Sequence, residues 1–208
     1  MESESSLRER LIDVGVELVM VEGSASLGLR EIARRAGVSH GAPRRHFPTH
    51  HALLSAIARR GFEDLSARIA ATTTGATSAR AHLREIARVY VGYALEHRGM
   101  FELMFRHDLL DSEQHVSGQR RLRESTRPLF ERIVDLVDLV ARCRAEQDTT
   151  QPPAVTAAAL WSNLHGIAQL WTWGSLQLAL DAAEPDGDDG LDRLVTAALD
   201  AHLGPTNS

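Results

Sequence analysis

From Gly28 to Phe47 the chain reads Gly-Leu-Arg-Glu-Ile-Ala-Arg-Arg-Ala-Gly-Val-Ser-His-Gly-Ala-Pro-Arg-Arg-His-Phe, and few folds accommodate that pattern. Leu29, Ile32, Ala33 and Ala36 recur at helical spacing and form the apolar stripe of a short helix. Gly28 stands at its N-cap, and Glu31 at N3 sets a carboxylate against the positive end of the helix dipole. Gly37 stops this helix, and Ser39 is a good N-cap for a second short one running to about His46. Two short helices joined through Gly37-Val38-Ser39 make a helix-turn-helix, which offers its second helix to the major groove of duplex DNA.

Charge sharpens this expectation. Between Gly23 and Arg60 there are seven arginines and a single acid, Glu31, so the segment carries +6 while the whole chain carries −5. Residues 1–60 sum to +2 and residues 61–208 to −7. A basic island in an acidic chain is the electrostatic footprint of a nucleic-acid-facing part on a body with another task. Every basic side chain is Arg, with no Lys present. At 208 residues the chain is long enough to bury a core as one large or two small domains. A single cysteine, Cys143, excludes an intrachain disulfide and fits a reducing cytosol. No run approaches the roughly 20 apolar residues of a membrane span. The acidic start, Met-Glu-Ser-Glu-Ser-Ser, lacks the pattern of a signal peptide. These features predict a cytoplasmic protein.

No strand-like alternation appears, and each long segment has helical period. Leu7, Leu11, Val14, Leu18 and Val21 mark a first helix that ends at Gly23. After the helix-turn-helix, a fourth helix starts near Thr49 and carries Leu53, Leu54, Ile57, Phe62, Leu65 and Ile69. The Thr- and Gly-rich run at 72–78 breaks it. A fifth helix holds Leu83, Ile86, Tyr90 and Tyr93, and a sixth holds Met100, Phe101, Met104 and Phe105. The seventh carries Leu129, Ile133, Leu136, Val140 and Cys143 to about Glu146. A loop at 148–153 precedes an eighth helix, opened by proline, with Leu160, Trp161, Leu164, Ile167 and Trp171. A loop at 185–190 leads into a ninth with Leu191, Leu194, Val195 and Ala198. The expected fold is all-α. It has a three-helix DNA-binding domain over residues 1–48, followed by a roughly six-helix domain over residues 49–208.

The stretch Ile32-Ala33-Arg34-Arg35-Ala36-Gly37-Val38-Ser39, then His46-Phe47 and Ala52-Leu53-Leu54, resembles the TetR family of transcriptional regulators. The order of helices agrees over the full length. Trp161-Ser-Asn-Leu-His165-Gly166 looks like the Trp-His-Gly signature of one subgroup's C-terminal domain. The resemblance implies a homodimer on a near-palindromic operator, usually a repressor, released from DNA by a small molecule held in the C-terminal domain. Some positions depart from the family. Pro43-Arg44 stands where Leu-Tyr is usual, His50 where a lysine is frequent, and Gly28 where a threonine caps the second helix. With Ser39 as N-cap, Pro43 would be N4, losing the first intrahelical hydrogen bond and biasing Ala42 away from helical dihedrals. The third helix is then expected to start late or to be tightly wound.

Arg44 and Arg45 are the leading base-edge candidates, because arginine donates two hydrogen bonds to guanine O6 and N7. Ser39, His40 and Gly41 stand at the front of the same helix, within reach of base or phosphate. Arg30, His46 and His50 suit phosphate positioning, with a structural hydrogen bond as the alternative for His46. Tyr90, Tyr93, Met100, Phe101, Met104, Phe105, Trp161, His165 and Trp171 are candidates for lining a small-molecule cavity, although aromatics at helical spacing more often pack in a core. Trp161 and His165, at i and i+4, share a helix face. Broad apolar faces on the eighth and ninth helices, with Gly166, Ala168 and Gly174 permitting close approach, suit a two-copy interface or intramolecular packing.

Other chemistry finds little support. No catalytic or phosphate-cradling motif occurs, and His50-His51, being adjacent, do not form a metal pair. Asp186, Asp188 and Asp189 lack the spacing and terminal glutamate of a calcium loop. No cofactor, metal or catalytic residue is therefore expected. Cys143 lies on the apolar stripe of its helix and is expected to be buried. The rival reading is a small-molecule-binding or enzymatic helical bundle with a degenerate helix-turn-helix, kept open by Pro43.

Overall fold

The computed structural model describes residues 2–72, 75, 77–106, 122–143, 151–180 and 187–205. Among these there are ten α-helices and no strand. They are α1 (Glu2–Glu22), α2 (Leu29–Arg35), α3 (Pro43–His46), α4 (His50–Thr72), α5 (Ala79–Glu96), α6 (Arg98–Phe105), α7 (Leu122–Cys143), α8 (Pro153–Thr172), α9 (Ser175–Ala179) and α10 (Gly187–Leu203). A 3-10 turn, Ser24–Ser26, joins α1 to α2. The predicted ninth helix is α10; the one-turn α9 has too few residues to show a period. Residues 187–190, expected in a loop, are helical. The remainder of that loop with Asp186, the loop segment 148–150, Glu146, and Thr73, Thr74 and Ala76 of the predicted break lie outside the described residues.

The chain divides into two compact units, 1–64 with 97–126 and 65–96 with 127–208. In the first, α1, α2, the start of α4 and α6 enclose Leu11, Leu18, Ile32, Leu53, Ile57, Met100, Leu103 and Met104, all at most 1% exposed. Glycine allows α6 to lie against the end of α1. A Cβ on Gly99 would stand 2.4 Å from the Val19 carbonyl oxygen and 2.9 Å from Gly23 Cα, so only a bare backbone fits. The α1 stripe is rotated from the one expected. Leu11, Ile12, Leu18 and Val19 are buried, whereas Val21 is 75% exposed because the last turn of the helix points it away from the core.

The second unit is built on α5, α8 and α10. Leu83, Ile86 and Ala87 of α5, Ala157, Leu160 and Leu164 of α8, and Val195, Ala198 and Leu199 of α10 are among its buried side chains. Two arginines eight residues apart on α5 bind two aspartates eight apart on α10. Arg88 grips Asp192 with Nε at 2.7 Å and Nη2 at 2.9 Å. Arg80 binds Asp200 and also donates to the Gly204 carbonyl at 2.7 Å. The pairs ascend one helix as they descend the other, so α5 and α10 are antiparallel. On α7, Val137 and Val140 are buried, but Cys143 is exposed, against expectation. The covered side of α7 runs through Val137 and Val140, and Cys143 stands outside it.

Candidate nucleic-acid interface

The helix-turn-helix is closed by backbone geometry that the sequence makes easy. Gly28, extended at φ −76° and ψ 135°, caps α2 as expected. Gly37 takes φ 67°, the left-handed conformation that glycine adopts without a Cβ clash. Val38 N–H then donates to Ala33 O at 3.0 Å and Gly37 N–H to Arg34 O at 3.1 Å, the paired bonds of a Schellman motif.

Ser39 is not the cap of an α-helix. It opens a turn in which Ala42 N–H donates to its carbonyl at 2.9 Å, and α3 begins only at Pro43. Proline therefore occupies N1, where a missing N–H costs no intrahelical bond and the fixed φ suits the helix. Ala42 sits at φ −60°, ψ −43°, in the helical region that a following proline disfavours, so the expected bias is overridden by the turn that it closes. Pro43 is buried, and Arg44 and Arg45 follow it on the exposed side. Phe47, 1% exposed, anchors the end of α3, with the Arg8 guanidinium 5.2 Å above its ring. Thr49 caps α4 by accepting from Ala52 N–H at 3.0 Å. His50 Nε2 then donates to the Leu27 carbonyl at 2.5 Å, tying the start of α4 to the entry of α2.

These turns surround an open groove of about 620 Å³ lined by Gly28, Leu29, Arg30, His40, Gly41, Arg44 and His50. No acid stands among its lining residues. Five of the eight sequence candidates thus come together in one place. Ser39 and Arg45 are exposed beside it on the same turn and helix, and His46 is half-buried.

The arginines of the segment differ in what they bind. Glu31 accepts from Arg34 Nε at 2.9 Å and Nη2 at 2.6 Å, and from Arg35 Nε at 2.7 Å. Arg35 also binds Glu22 of α1. The hydrogen bond from Arg34, then that from Arg35, holds the Glu31 carboxyl down to about 2 against an ordinary 4.5. Arg60 pairs with Glu9 at 2.5 Å. Arg30, Arg44 and Arg45 hold no ion pair or hydrogen bond among the described residues. The +6 of the sequence therefore presents itself as three uncommitted guanidinium groups. The spacing of Glu31 to Arg34 and Arg35, i+3 and i+4, was the available signal for this difference.

The small-molecule candidates fall into two groups, one in each unit. In the first, Phe101 lies 4.9 Å from Phe105, and Phe62 meets Phe105 edge-on at 5.6 Å. Met100, Phe101 and Met104 are at most 2% exposed there. In the second unit Trp161 Nε1–H donates to Tyr90 Oη at 3.0 Å, and that oxygen lies 2.8 Å from His165 Nδ1. An indole nitrogen only donates, so the phenol oxygen accepts from it, and its bond with Nδ1 takes the direction that the imidazole tautomer sets. Burial pushes the Tyr90 phenol well above its usual range, against the Trp161 hydrogen bond, and pushes His165 below its own. Phe130 of α7, which the sequence did not single out, meets Trp161 edge-on at 6.5 Å. Tyr93 is buried under the Arg68 guanidinium, 5.3 Å from its ring, and Trp171 is half-buried.

Among the described residues no helix is long and apolar enough to cross a membrane, and no group of three or more His, Cys, Asp or Glu is placed to hold a metal ion.

A helix-turn-helix with unpaired arginines, carried by an otherwise all-helical chain, defines the class of helical DNA-binding transcriptional regulators. Comparison with known proteins makes the class specific. Residues 11–57 match the bacterial regulatory proteins of the tetR family, and residues 83–198 match the tetracyclin repressor-like C-terminal domain. A protein with unknown function from Rhodococcus sp. RHA1 is 30% identical, with a TM-score of 0.70 over 95% of this chain and 93% of that one. A TetR-like transcriptional regulator from the same organism is 18% identical, with a TM-score of 0.61 over 96% and 97% of the two chains. The TetR family transcriptional regulator PfmR from Thermus thermophilus is 17% identical, with a TM-score of 0.61 over 96% of this chain and 100% of that one. No curated protein matches. The chain belongs to the TetR family of transcriptional regulators, which are not enzymes.

Proposed function

We propose that this regulator is a homodimeric repressor that binds a near-palindromic operator and leaves it when a small molecule binds. The observation that carries the DNA reading is the acid-free groove, with Arg30, Arg44 and Arg45 uncommitted around it. Arg45 and Arg44 read base edges, with Ser39, His40 and Gly41 at the approach to the groove floor. Arg30, His46 and His50 position the phosphate backbone. The residues through 48 form the DNA-binding domain and those from 49 onward the sensing and dimerisation domain. Its place of action is the cytoplasm, where its DNA is.

Dimerisation through α8 and α10 is supported by an apolar outer face on α8. Val155 and Leu170 on α8 and Trp173 at its C-cap are exposed by 50%, 40% and 66%, with Ala159, Ser162 and Gly166 between them at helical spacing. A Cβ on Gly166 would meet nothing within 4 Å, so the face is open to a second helix. Two copies then present two α3 helices to successive major-groove half-sites.

The effector site is assigned to Trp161 and His165, with Tyr90 behind them. Tyr93, Phe101 and Met104, which are buried, and Phe105, half-buried against Phe62 and Phe101, keep a packing role unless the effector opens their clusters. Ligand binding there biases α4, continuous from His50 at the groove to Thr72, and so couples to DNA affinity as a difference between two states. The reading is tested by sequencing the duplexes that the purified protein enriches from a random DNA pool. An enriched near-palindrome supports it. A folded, dimeric protein that enriches nothing overturns it.

A further inference from the structure

We infer that Glu31 is a specificity-determining residue: it withholds Arg34 from the phosphate backbone, so that sequence-independent attraction to DNA stays low. This rests on the DNA-binding reading above and goes beyond it. Arg34 lies four residues after Arg30, and on a helix such residues share a face. Arg30 lines the groove, and the Arg34 side chain is 65% exposed, so it is placed to extend the same cationic surface. Instead, both its Nε and its Nη2 are turned to the two carboxylate oxygens of Glu31, at 2.9 and 2.6 Å.

A further bond to Glu31, from Arg35 Nε at 2.7 Å, fixes the carboxylate from another side, and Glu22 binds the rest of Arg35. Two glutamates and two arginines make a neutral cluster. A phosphate approaching it meets as much repulsion as attraction. Exposed ion pairs of this kind contribute little to folding stability, so the effect of the cluster falls on the distribution of charge over the surface. Phosphate contacts supply most of non-specific affinity and carry no sequence information. Removing one from the α2 face therefore lowers binding to random DNA while leaving the base contacts of α3 in place.

The test is a salt titration of DNA binding for Glu31→Gln, Arg34→Gln and the double variant, on a random-sequence duplex and on the duplex that the wild type enriches. Glu31→Gln is expected to bind the random duplex more tightly, with a log K against log salt slope steeper by about 0.9, the increment for one added phosphate. The ratio of selected to random affinity falls. Arg34→Gln alone keeps the wild-type slope, and the double variant returns to it. A Glu31→Gln protein that folds but keeps the wild-type slope overturns the inference. So does an Arg34→Gln protein whose slope is shallower than wild type, and that result decides the matter if Glu31→Gln does not fold. A wild type that binds neither duplex sinks the DNA-binding reading itself, which separates the two failures.

Discussion

Ten residues apart, α2 and the approach to α3 carry five-residue strings of the same plan. One is Glu31-Ile32-Ala33-Arg34-Arg35 and the other Gly41-Ala42-Pro43-Arg44-Arg45. Each ends in an arginine pair, and each pair sits three and four residues beyond the first position. In α2 that position is glutamate, and both guanidinium groups are bound to it. Before α3 it is glycine, and Arg44 and Arg45 hold no ion pair among the described residues. One side chain thus separates arginines bound to the fold's own surface from arginines that, on the proposed function, are offered to DNA.

The strongest way to break the comparison is to transplant the acid. Gly41 has no positive φ, and a Cβ there would meet nothing within 4 Å, so Gly41→Glu should fold normally. The new carboxylate would stand three and four residues before Arg44 and Arg45 in sequence, as Glu31 does before its pair, and within the groove that Arg44 lines. Operator affinity is expected to drop by on the order of 3 kcal/mol, the scale of two lost arginine contacts, or roughly a hundredfold. Unchanged affinity by fluorescence anisotropy, with unchanged thermal unfolding, would show that proximity of an acid does not govern these arginines.

Next in size is Arg45→Ala, expected to cost about 1–3 kcal/mol on the selected duplex and to relax preference at one base pair. Repeating the random-pool enrichment reads this directly; loss spread evenly over all positions would make Arg45 a phosphate contact. Arg30→Ala should weaken all sequences alike and make the salt slope shallower by about 0.9. If it altered base preference instead, the division of labour between α2 and α3 would be wrong.

The smallest effect lies in the acid range. The Glu31 carboxyl is held at about 2 against an ordinary 4.5 by its bonds to Arg34 and Arg35. A depressed carboxylate contributes stability that is present above its unfolded value and is lost as pH falls through the folded one. Wild type should therefore lose a small increment of stability between about pH 4.5 and 2 that Glu31→Gln does not lose. Parallel melting curves of the two proteins across that window would reject the bonding pattern.

Much of this is legible in the chain. Gly28, Gly37 and the stripe of Ile32 and Ala33 place α2 to the residue, because caps and stops are local backbone chemistry. Pro43 signals a delayed α3, but its position within that helix is not readable from spacing. Counting from Ser39 makes it N4, whereas the turn closed by Ala42 N–H on Ser39 O moves it to N1, where no intrahelical hydrogen bond is lost. Val21 and Cys143 depart from expectation for one reason. A stripe gives the period of a helix, but where along its length the neighbouring elements stop covering it is a matter of packing. Trp161 and His165 pair by spacing alone, while the Tyr90 oxygen between them comes from a helix 71 residues away in sequence from Trp161.

By itself, the sequence determined the helices other than the one-turn α9, the helix-turn-helix and the excess of arginine within it. These depend on interactions over four or five residues, which any stretch of chain carries with it. Only the tertiary structure decided that α6 joins the first unit through Gly99, that Tyr90 links Trp161 to His165, and that Glu22 of α1 completes the cluster on α2. Each of these brings together groups distant in sequence. Their free energy comes from burying or pairing atoms that meet only once the whole chain has packed.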